Sequence, residues 1–183
     1  RLADDIADSA ELPPEEKLRR LDALEAALDD PATTQQEAAA MHARAVGVAE
    51  ARRMLSAFRQ DATQARHADW AELADYCTRS ADPVGRMLLR LHGDLSDEAA
   101  HAADGLCSAL QVLNHIQDAQ DDRATLGRVY IPQSWMGDEE SFFATATPQR
   151  RAVLDAMLDR VEDWLDQAAA LPRLCRNRRL AWQ

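Results

Sequence analysis

Cys107-Ser-Ala-Leu-Gln-Val-Leu-Asn-His-Ile-Gln-Asp-Ala-Gln-Asp-Asp122, followed closely by Leu126-Gly-Arg-Val-Tyr-Ile-Pro132, is the stretch that decides the fold. On a helix that turns about 100° per residue, four oxygen-bearing side chains of this stretch fall within an arc of roughly 80°. They are Gln111, Asn114, Asp118 and Asp122. Since hard cations prefer oxygen ligands, the spacing predicts a helix with a cation-binding stripe.

A second acidic stripe lies at the start of the chain, in Arg1-Leu-Ala-Asp-Asp-Ile-Ala-Asp8. Asp4 and Asp8 are one helical turn apart and share a helix face. Mg2+ typically joins one or two carboxylates to the phosphates of a substrate, so two facing acidic helices would hold a diphosphate through Mg2+. The alternative for Asp4, Asp5 and Asp8 is a solvated acidic face. The second stripe is the stronger signal, because asparagine and glutamine are poor choices for a buried helix face unless something hydrogen-bonds them.

These residues resemble the squalene/phytoene synthase family, whose paired motifs read Asp-x-x-x-Asp and Gln-x-x-Asn-x-x-x-Asp-x-x-x-Asp on two helices. A third family signature, in which an aromatic residue and a cysteine lead into a small-residue helix kink, resembles Tyr76-Cys-Thr-Arg-Ser-Ala-Asp-Pro-Val-Gly-Arg86. Within the family, the chain resembles the hydroxysqualene synthase branch most, in three segments and in one extra residue between Asp122 and Arg128. The segments are Ala3-Asp-Asp-Ile-Ala-Asp8, Ser80-Ala-x-Pro-Val-Gly-Arg86 and Ala109-Leu-Gln-Val-Leu-Asn-His-Ile-Gln-Asp118.

The resemblance implies a role for ten residues and Mg2+ as the cofactor. The catalytic residues would be Tyr76, Asp4, Asp8, Asp118 and Asp122, and the metal ligands would be Asp4, Asp8, Asn114, Asp118 and Asp122. The residues that bind the substrate would be Arg1, Arg66, Gln111, Asn114 and Arg128.

Several of these residues have a plainer alternative. Arg128 suits phosphate oxygens through its planar fork, but it could instead form a surface salt bridge to Asp121 or Asp122. Arg1 could be a frayed, solvated end, and Tyr76 could be a core tyrosine with a satisfied hydroxyl. His67 stands where relatives carry tyrosine, and we expect a surface histidine there.

The fold expected from this resemblance is an all-α, isoprenoid-synthase-type helical bundle in which residues 1–183 form a single, partial domain. Because Arg1 opens in mid-helix and relatives continue beyond both ends, we expect a chain truncated at both ends. The helices expected are 15–28, 35–66 with a break at Gly47, 70–79, one capped by Ser96 or Asp97, and 148–170. Pro83 and Gly85 should interrupt the helical pattern, and a loop with Trp135 and Phe142 should follow Pro132.

Composition narrows the class of protein. The net charge of −11 disfavours nucleic acid as a partner. The three cysteines are widely spaced without a paired motif, which favours an intracellular protein. We expect all three to be small buried residues. The sequence contains no apolar run of about 18 residues. We therefore expect a cytoplasmic protein, with contact at the membrane surface left open and the oligomeric state undetermined.

The reaction implied by the resemblance is conversion of presqualene diphosphate to hydroxysqualene with release of diphosphate, in squalene and hopanoid biosynthesis. Two alternatives stay open. One is head-to-head condensation of prenyl diphosphates to presqualene diphosphate or phytoene. The other is a non-catalytic helical scaffold, which would lack Mg2+-dependent binding of a diphosphate.

Overall fold

The computed structural model describes residues 1–177; residues 178–183, which end the predicted domain, lie outside the described residues. Twelve helices follow one another within residues 1–177: α1 Leu2–Asp8, α2 Pro14–Asp29, α3 Gln36–Arg44, α4 Val48–Thr63, α5 Trp70–Ser80, α6 Asp82–His92, α7 Asp97–Gln117, α8 Ala119–Thr125, α9 Gln133–Met136, α10 Glu139–Ala144, α11 Pro148–Ala168 and α12 Leu171–Leu174. The only β-type pairing in that range is an isolated parallel bridge between Arg66 and Val129. The predicted all-α fold is confirmed.

Helix α7, which ends in the second acidic stripe, lies between α6 and α11 and also contacts α5. Its Ala109 and Val112 join Leu73 of α5 and Met157 of α11 in the larger apolar cluster. Helices α1, α2 and α4 enclose a second apolar cluster around Leu21. Because α1 packs on α4 while α4 contacts α5 and α6, the first acidic stripe is fixed relative to the second.

Small residues let α7 approach its neighbours closely. A Cβ on Gly85 of α6 would lie 2.8 Å from Cys107 Sγ and 3.2 Å from Ala103 Cβ. A Cβ on Gly105 would lie 2.6 Å from the backbone oxygen of Trp164 on α11. The glycine at each position therefore sets the spacing between two helices.

We expect Gly105→Ala to destabilise the protein, because the new methyl group would meet backbone that cannot yield without displacing α11. Overpacking at the upper end of its usual range, about 3 kcal/mol, would exceed the roughly 1 kcal/mol that alanine gains over glycine in a helix. The free energy of unfolding, measured in urea, should fall by about 2 kcal/mol. In Gly85→Ala the new methyl group would contact mainly the sulfur at the end of the Cys107 side chain. The free energy of unfolding should therefore fall less than in Gly105→Ala. An unfolding midpoint of Gly105→Ala at or above that of wild type would contradict this packing argument.

One local prediction about the helices is confirmed and two differ from the structure. The break expected at Gly47 within residues 35–66 is present, because Ala45 (φ 53°) and Gly47 (φ 91°) adopt left-handed backbone between α3 and α4. Pro83 lies in the first turn of α6 and does not interrupt a helix, since a first-turn residue needs no N–H donor. The loop expected after Pro132 contains α9 and α10.

The other predictions about helix ends and burial are mostly confirmed. Helix α2 spans almost the expected range, and the hydroxyl of Ser96 caps α7 by accepting from the Ala99 N–H at 3.1 Å. All three cysteines are free; the expected burial is confirmed for Cys77 but is wrong for Cys107 and Cys175, which are half-buried. In the described part of the chain, no helix is long and apolar enough to cross a membrane.

Candidate active site

The second acidic stripe is not carried by one helix, because α7 ends at Gln117 and α8 starts at Ala119. The backbone nevertheless keeps its helical register through the junction. The N–H of Asp118 donates to the Asn114 carbonyl at 2.8 Å, and that of Asp122 donates to the Asp118 carbonyl at 2.8 Å. The four side chains therefore stay on one face, as the 3.6-residue period predicts.

A cavity of about 500 Å³ brings together nine of the ten residues that the sequence singled out. The nine are Arg1, Asp4, Asp8, Tyr76, Gln111, Asn114, Asp118, Asp122 and Arg128. Asn114 and Asp118 are exposed, and Gln111 is half-buried. The stripe thus lines the open side of a cavity, whereas the sequence argument assumed a buried helix face.

The carboxylates of the cavity are close enough to perturb one another. Burial, reinforced by the charge of Asp8, raises the pKa of Asp4. Burial, reinforced by the charge of Asp118, raises the pKa of Asp122, and Asp8 of the other stripe contributes in the same direction. Within residues 1–177, no three histidine, cysteine or acidic side chains converge tightly enough to hold a metal ion by themselves.

The oxygen donors of this cavity fit Mg2+. Mg2+ takes one or two protein carboxylates and completes its shell with substrate phosphates and water, so a tight cage of side chains is not required. The mutual repulsion of the two stripes is the condition that an added cation relieves. Asp4 and Asp8 on one side, with Asn114, Asp118 and Asp122 on the other, are the residues that would hold it.

Arg128 is buried at the inner end of the cavity, with 5% of its surface exposed. Its guanidinium donates to Asp8 Oδ1 at 2.5 Å, to the Ala7 carbonyl at 2.7 Å and to the Asp61 carbonyl at 3.2 Å. The alternative of a surface salt bridge to Asp121 or Asp122 is wrong, because the chain turns inward after α8 and carries the side chain to α1 and α4. A guanidinium has five N–H groups, and these contacts use three of them.

The terminal residue Arg1 lines the cavity and reaches Asp5 at 3.9 Å, with both side chains largely exposed. Arg66 does not line the cavity. Its guanidinium forms two hydrogen bonds to the carboxylate of Glu139 on α10, at 2.7 and 2.9 Å, and a third to the Gly127 carbonyl. These contacts indicate that Arg66 fastens the loop before Arg128; its predicted role in substrate binding stays a prediction.

A buried hydrogen-bond cluster at the bottom of the cavity escaped sequence reasoning. Tyr76 donates to Asp61 Oδ2 at 2.8 Å, and Tyr130 donates to Asp61 Oδ1 at 3.1 Å. Burial raises the pKa of Asp61 to about 6 and raises that of Tyr76 as well. The only signal for this cluster in the sequence was an aspartate, Asp61, near the end of an amphipathic helix. Its tyrosine partners lie 15 and 69 residues away along the chain.

Two histidines belong to the same cluster. His115 stacks on Tyr130 with ring centroids 3.6 Å apart, and burial lowers its pKa to about 3. His67 is 3% exposed and packs edge-on against Tyr76. The expected surface position of His67 is therefore wrong: the segment after α4 runs beside Val129 and turns the ring inward.

A second, apolar cavity of about 190 Å³ adjoins the acidic one. Its wall includes Leu24, Leu28, Met41 and Leu55, and it shares Met54 and Phe58 with the acidic cavity. An acidic and an apolar compartment that meet along shared side chains suit a ligand with a charged head and a hydrocarbon chain.

The chain is similar in sequence to known proteins of one family. The sequence model of the squalene/phytoene synthase family matches residues 1–183. The chain is 40% identical to a hydroxysqualene synthase of Sinorhizobium fredii over 192 residues, which cover 100% of the chain and 65% of that relative. It is 45% identical to a hydroxysqualene synthase of Rhodopseudomonas palustris over 137 residues, which cover 73% of the chain and 47% of that relative.

Among solved structures, the crystal structure of squalene synthase HpnC from Alicyclobacillus acidocaldarius superposes with a TM-score of 0.83 at 33% identity. The match covers 98% of the chain and 71% of that structure. It identifies the helical bundle as the predicted isoprenoid-synthase type. The chain spans 65% and 47% of the lengths of the two curated relatives above.

Proposed function

Because the chain belongs to the squalene/phytoene synthase family, we propose that its protein converts presqualene diphosphate to hydroxysqualene and diphosphate, in a Mg2+-dependent reaction. The observation that carries the proposal is the cavity in which Asp4 and Asp8 face Asp118 and Asp122, with an apolar compartment beside it. The diphosphate would bind in the first compartment, and part of the hydrocarbon would lie in the second. The two relatives named hydroxysqualene synthase support this choice within the family.

The acidic compartment would bind and release the diphosphate. Bound Mg2+ would neutralise phosphate oxygens and the charge that develops on them as the C–O bond breaks. Arg128 contributes a fixed positive charge that is already oriented by Asp8 and two backbone carbonyls. A preorganised donor of this kind stabilises a leaving group without reorganising during the reaction.

The remaining side chains would govern the carbocation left behind. Met54 and Phe58 border the acidic compartment and exclude bulk water from the hydrocarbon. Tyr76 presents a phenol oxygen whose proton is donated to Asp61. The cyclopropylcarbinyl cation would rearrange within this wall and be captured by one water molecule.

Product analysis by mass spectrometry tests the proposal. The protein, expressed from its complete reading frame, would be given presqualene diphosphate or farnesyl diphosphate, each with and without Mg2+. We expect hydroxysqualene to form from presqualene diphosphate, and only when Mg2+ is added. Absence of any product from either substrate would favour the scaffold alternative.

Head-to-head condensation is the second candidate, since the matching family includes phytoene synthases by name. Formation of presqualene diphosphate from farnesyl diphosphate would move the protein to that branch. Condensation consumes two prenyl diphosphates, so the rate would depend on farnesyl or geranylgeranyl diphosphate, whereas the preferred reaction needs neither.

We also propose a cytoplasmic enzyme that meets its hydrophobic substrate at a membrane surface. Free cysteines without pairing in the described residues fit a reducing compartment. A surface with a net charge of −11 offers nothing to a nucleic-acid backbone.

A further inference from the structure

Ser80, the last residue of α5, has a buried hydroxyl in the wall of the acidic cavity. Its oxygen has no hydrogen-bond partner among residues 1–177. A buried hydroxyl without a partner is unfavourable, and such groups usually bind a water or a ligand. Three buried side-chain atoms in that range share this condition, and only Ser80 lines the acidic cavity.

The isolation of this hydroxyl contrasts with its counterparts elsewhere in the chain. A helical serine or threonine commonly donates to a backbone carbonyl one turn earlier. Ser56, Thr63, Thr78 and Thr125 all do so, at distances of 2.6 to 3.0 Å. The Tyr76 carbonyl is at the corresponding position for Ser80, but the Ser80 hydroxyl does not donate to it. The hydroxyl can therefore form a hydrogen bond with another molecule.

Its surroundings suit one small polar molecule. Tyr76 lies one helical turn before Ser80 on α5, so the two side chains are neighbours on one face. Across the cavity, the side-chain nitrogen of Gln111 contacts His115 Nε2 at 3.1 Å, which leaves the Gln111 oxygen as an acceptor. Met54 and Phe58 supply the apolar part of the wall. Rotation about the Cα–Cβ bond of Ser80, among its three staggered positions, can reorient the hydroxyl.

We propose that the Ser80 hydroxyl positions the water molecule that captures the carbocation, and so determines that the reaction ends in an alcohol. This inference rests on the proposed conversion of presqualene diphosphate. The water oxygen forms the new C–O bond with the cationic carbon. One water proton passes to the Tyr76 oxygen as the Tyr76 proton moves to the Asp61 carboxylate, along the existing 2.8 Å hydrogen bond. No oxidant or reductant is needed.

The test compares product ratios with the rate of diphosphate release in wild type, Ser80→Ala, Ser80→Thr and the control Ser56→Ala. Ser80→Ala removes only the hydroxyl, and ionisation of the substrate takes place at the acidic stripes. Diphosphate release should therefore stay within about threefold of wild type, while the share of hydroxysqualene falls by about tenfold, the worth of one good hydrogen bond. Hydrocarbons formed by proton loss, or alcohols hydroxylated at another carbon, should replace it. Ser80→Thr should restore the alcohol.

Ser56→Ala makes the same atomic change on α4, outside both cavities, and should leave product ratios unchanged. A merely structural Ser80 would lower stability or the overall rate and leave the product ratio of Ser80→Ala like that of wild type, which would overturn the inference while the proposed function stands. A wild-type protein that forms no alcohol from presqualene diphosphate would overturn both.

Discussion

Asp118→Asn should lower the rate of diphosphate release by about 100- to 1,000-fold, the usual cost of losing one preorganised electrostatic contact in an active site. The substitution keeps the size of the side chain and removes its charge. Asp118 lies where α7 passes into α8, exposed to the cavity and aligned with Asp122. Loss of its charge should weaken the binding of the Mg2+ that the proposed reaction requires. Release of inorganic diphosphate, measured over a range of Mg2+ concentrations, is the readout.

The matched control is Asp121→Asn, one position before Asp122. Asp121 is exposed and is not part of the cavity wall, so the same loss of charge there should leave the rate within about twofold of wild type. The half-saturating Mg2+ concentration should rise for Asp118→Asn and stay constant for the control. Equal rates for the two variants would remove the second acidic stripe from the mechanism.

Arg128→Met should both destabilise the protein and abolish turnover. The change removes a buried guanidinium and leaves the Asp8 carboxylate and the Asp61 carbonyl without this donor. The Ala7 carbonyl loses one of two donors and keeps the Lys17 ammonium at 2.7 Å. Because the Asp8 side chain is 43% exposed and can be solvated, the expected loss is about 2–4 kcal/mol, which is below the cost of a fully buried broken ion pair. Urea denaturation measures the stability and diphosphate release measures the activity.

Arg151→Met is the control for this pair of effects. Arg151 makes a 3.7 Å ion pair with Asp155 on the surface of α11, and its side chain is 84% exposed. Its loss should cost less than about 1 kcal/mol and should not change the rate. Arg128→Lys keeps one charge but cannot reach three acceptors in different directions, so it should recover part of the stability and little activity. Full activity of Arg128→Lys would show that Arg128 acts only through its charge.

Much of the candidate site followed from spacing along the chain. The period of an α-helix puts Asp4 and Asp8 on one helix face, and likewise Gln111 and Asn114, independently of how the helices pack. That register survives even the end of α7 at Gln117, because the hydrogen bonds of Asp118 and Asp122 continue the helical pattern. The helix start at Pro148 was also predicted, since proline fits the first turn and little else in a helix. For the same reason α2 starts at Pro14, one residue before the expected start at Glu15.

The cluster at the bottom of the cavity depended on contacts between distant parts of the chain. Asp61 meets Tyr130 69 residues later, and Arg128 meets Asp8 120 residues earlier. Nothing in the local pattern of either segment indicates its partner. The same holds for His67, which was expected at the surface because it replaces the tyrosine of relatives and which packing against Tyr76 and Tyr130 buries.

The sequence by itself determined the all-α class and the two acidic stripes, because helix periodicity and first-turn preferences are local properties that each segment carries with it. Tertiary structure alone decided that the stripes face one cavity, that Arg128 turns inward to Asp8 while Arg66 pairs with Glu139, and that the Ser80 hydroxyl is left without a partner. The physical reason is burial. Burying a charged or polar group costs free energy unless the group gains a hydrogen-bond partner. Whether a partner is present depends on the other helices packed around the group.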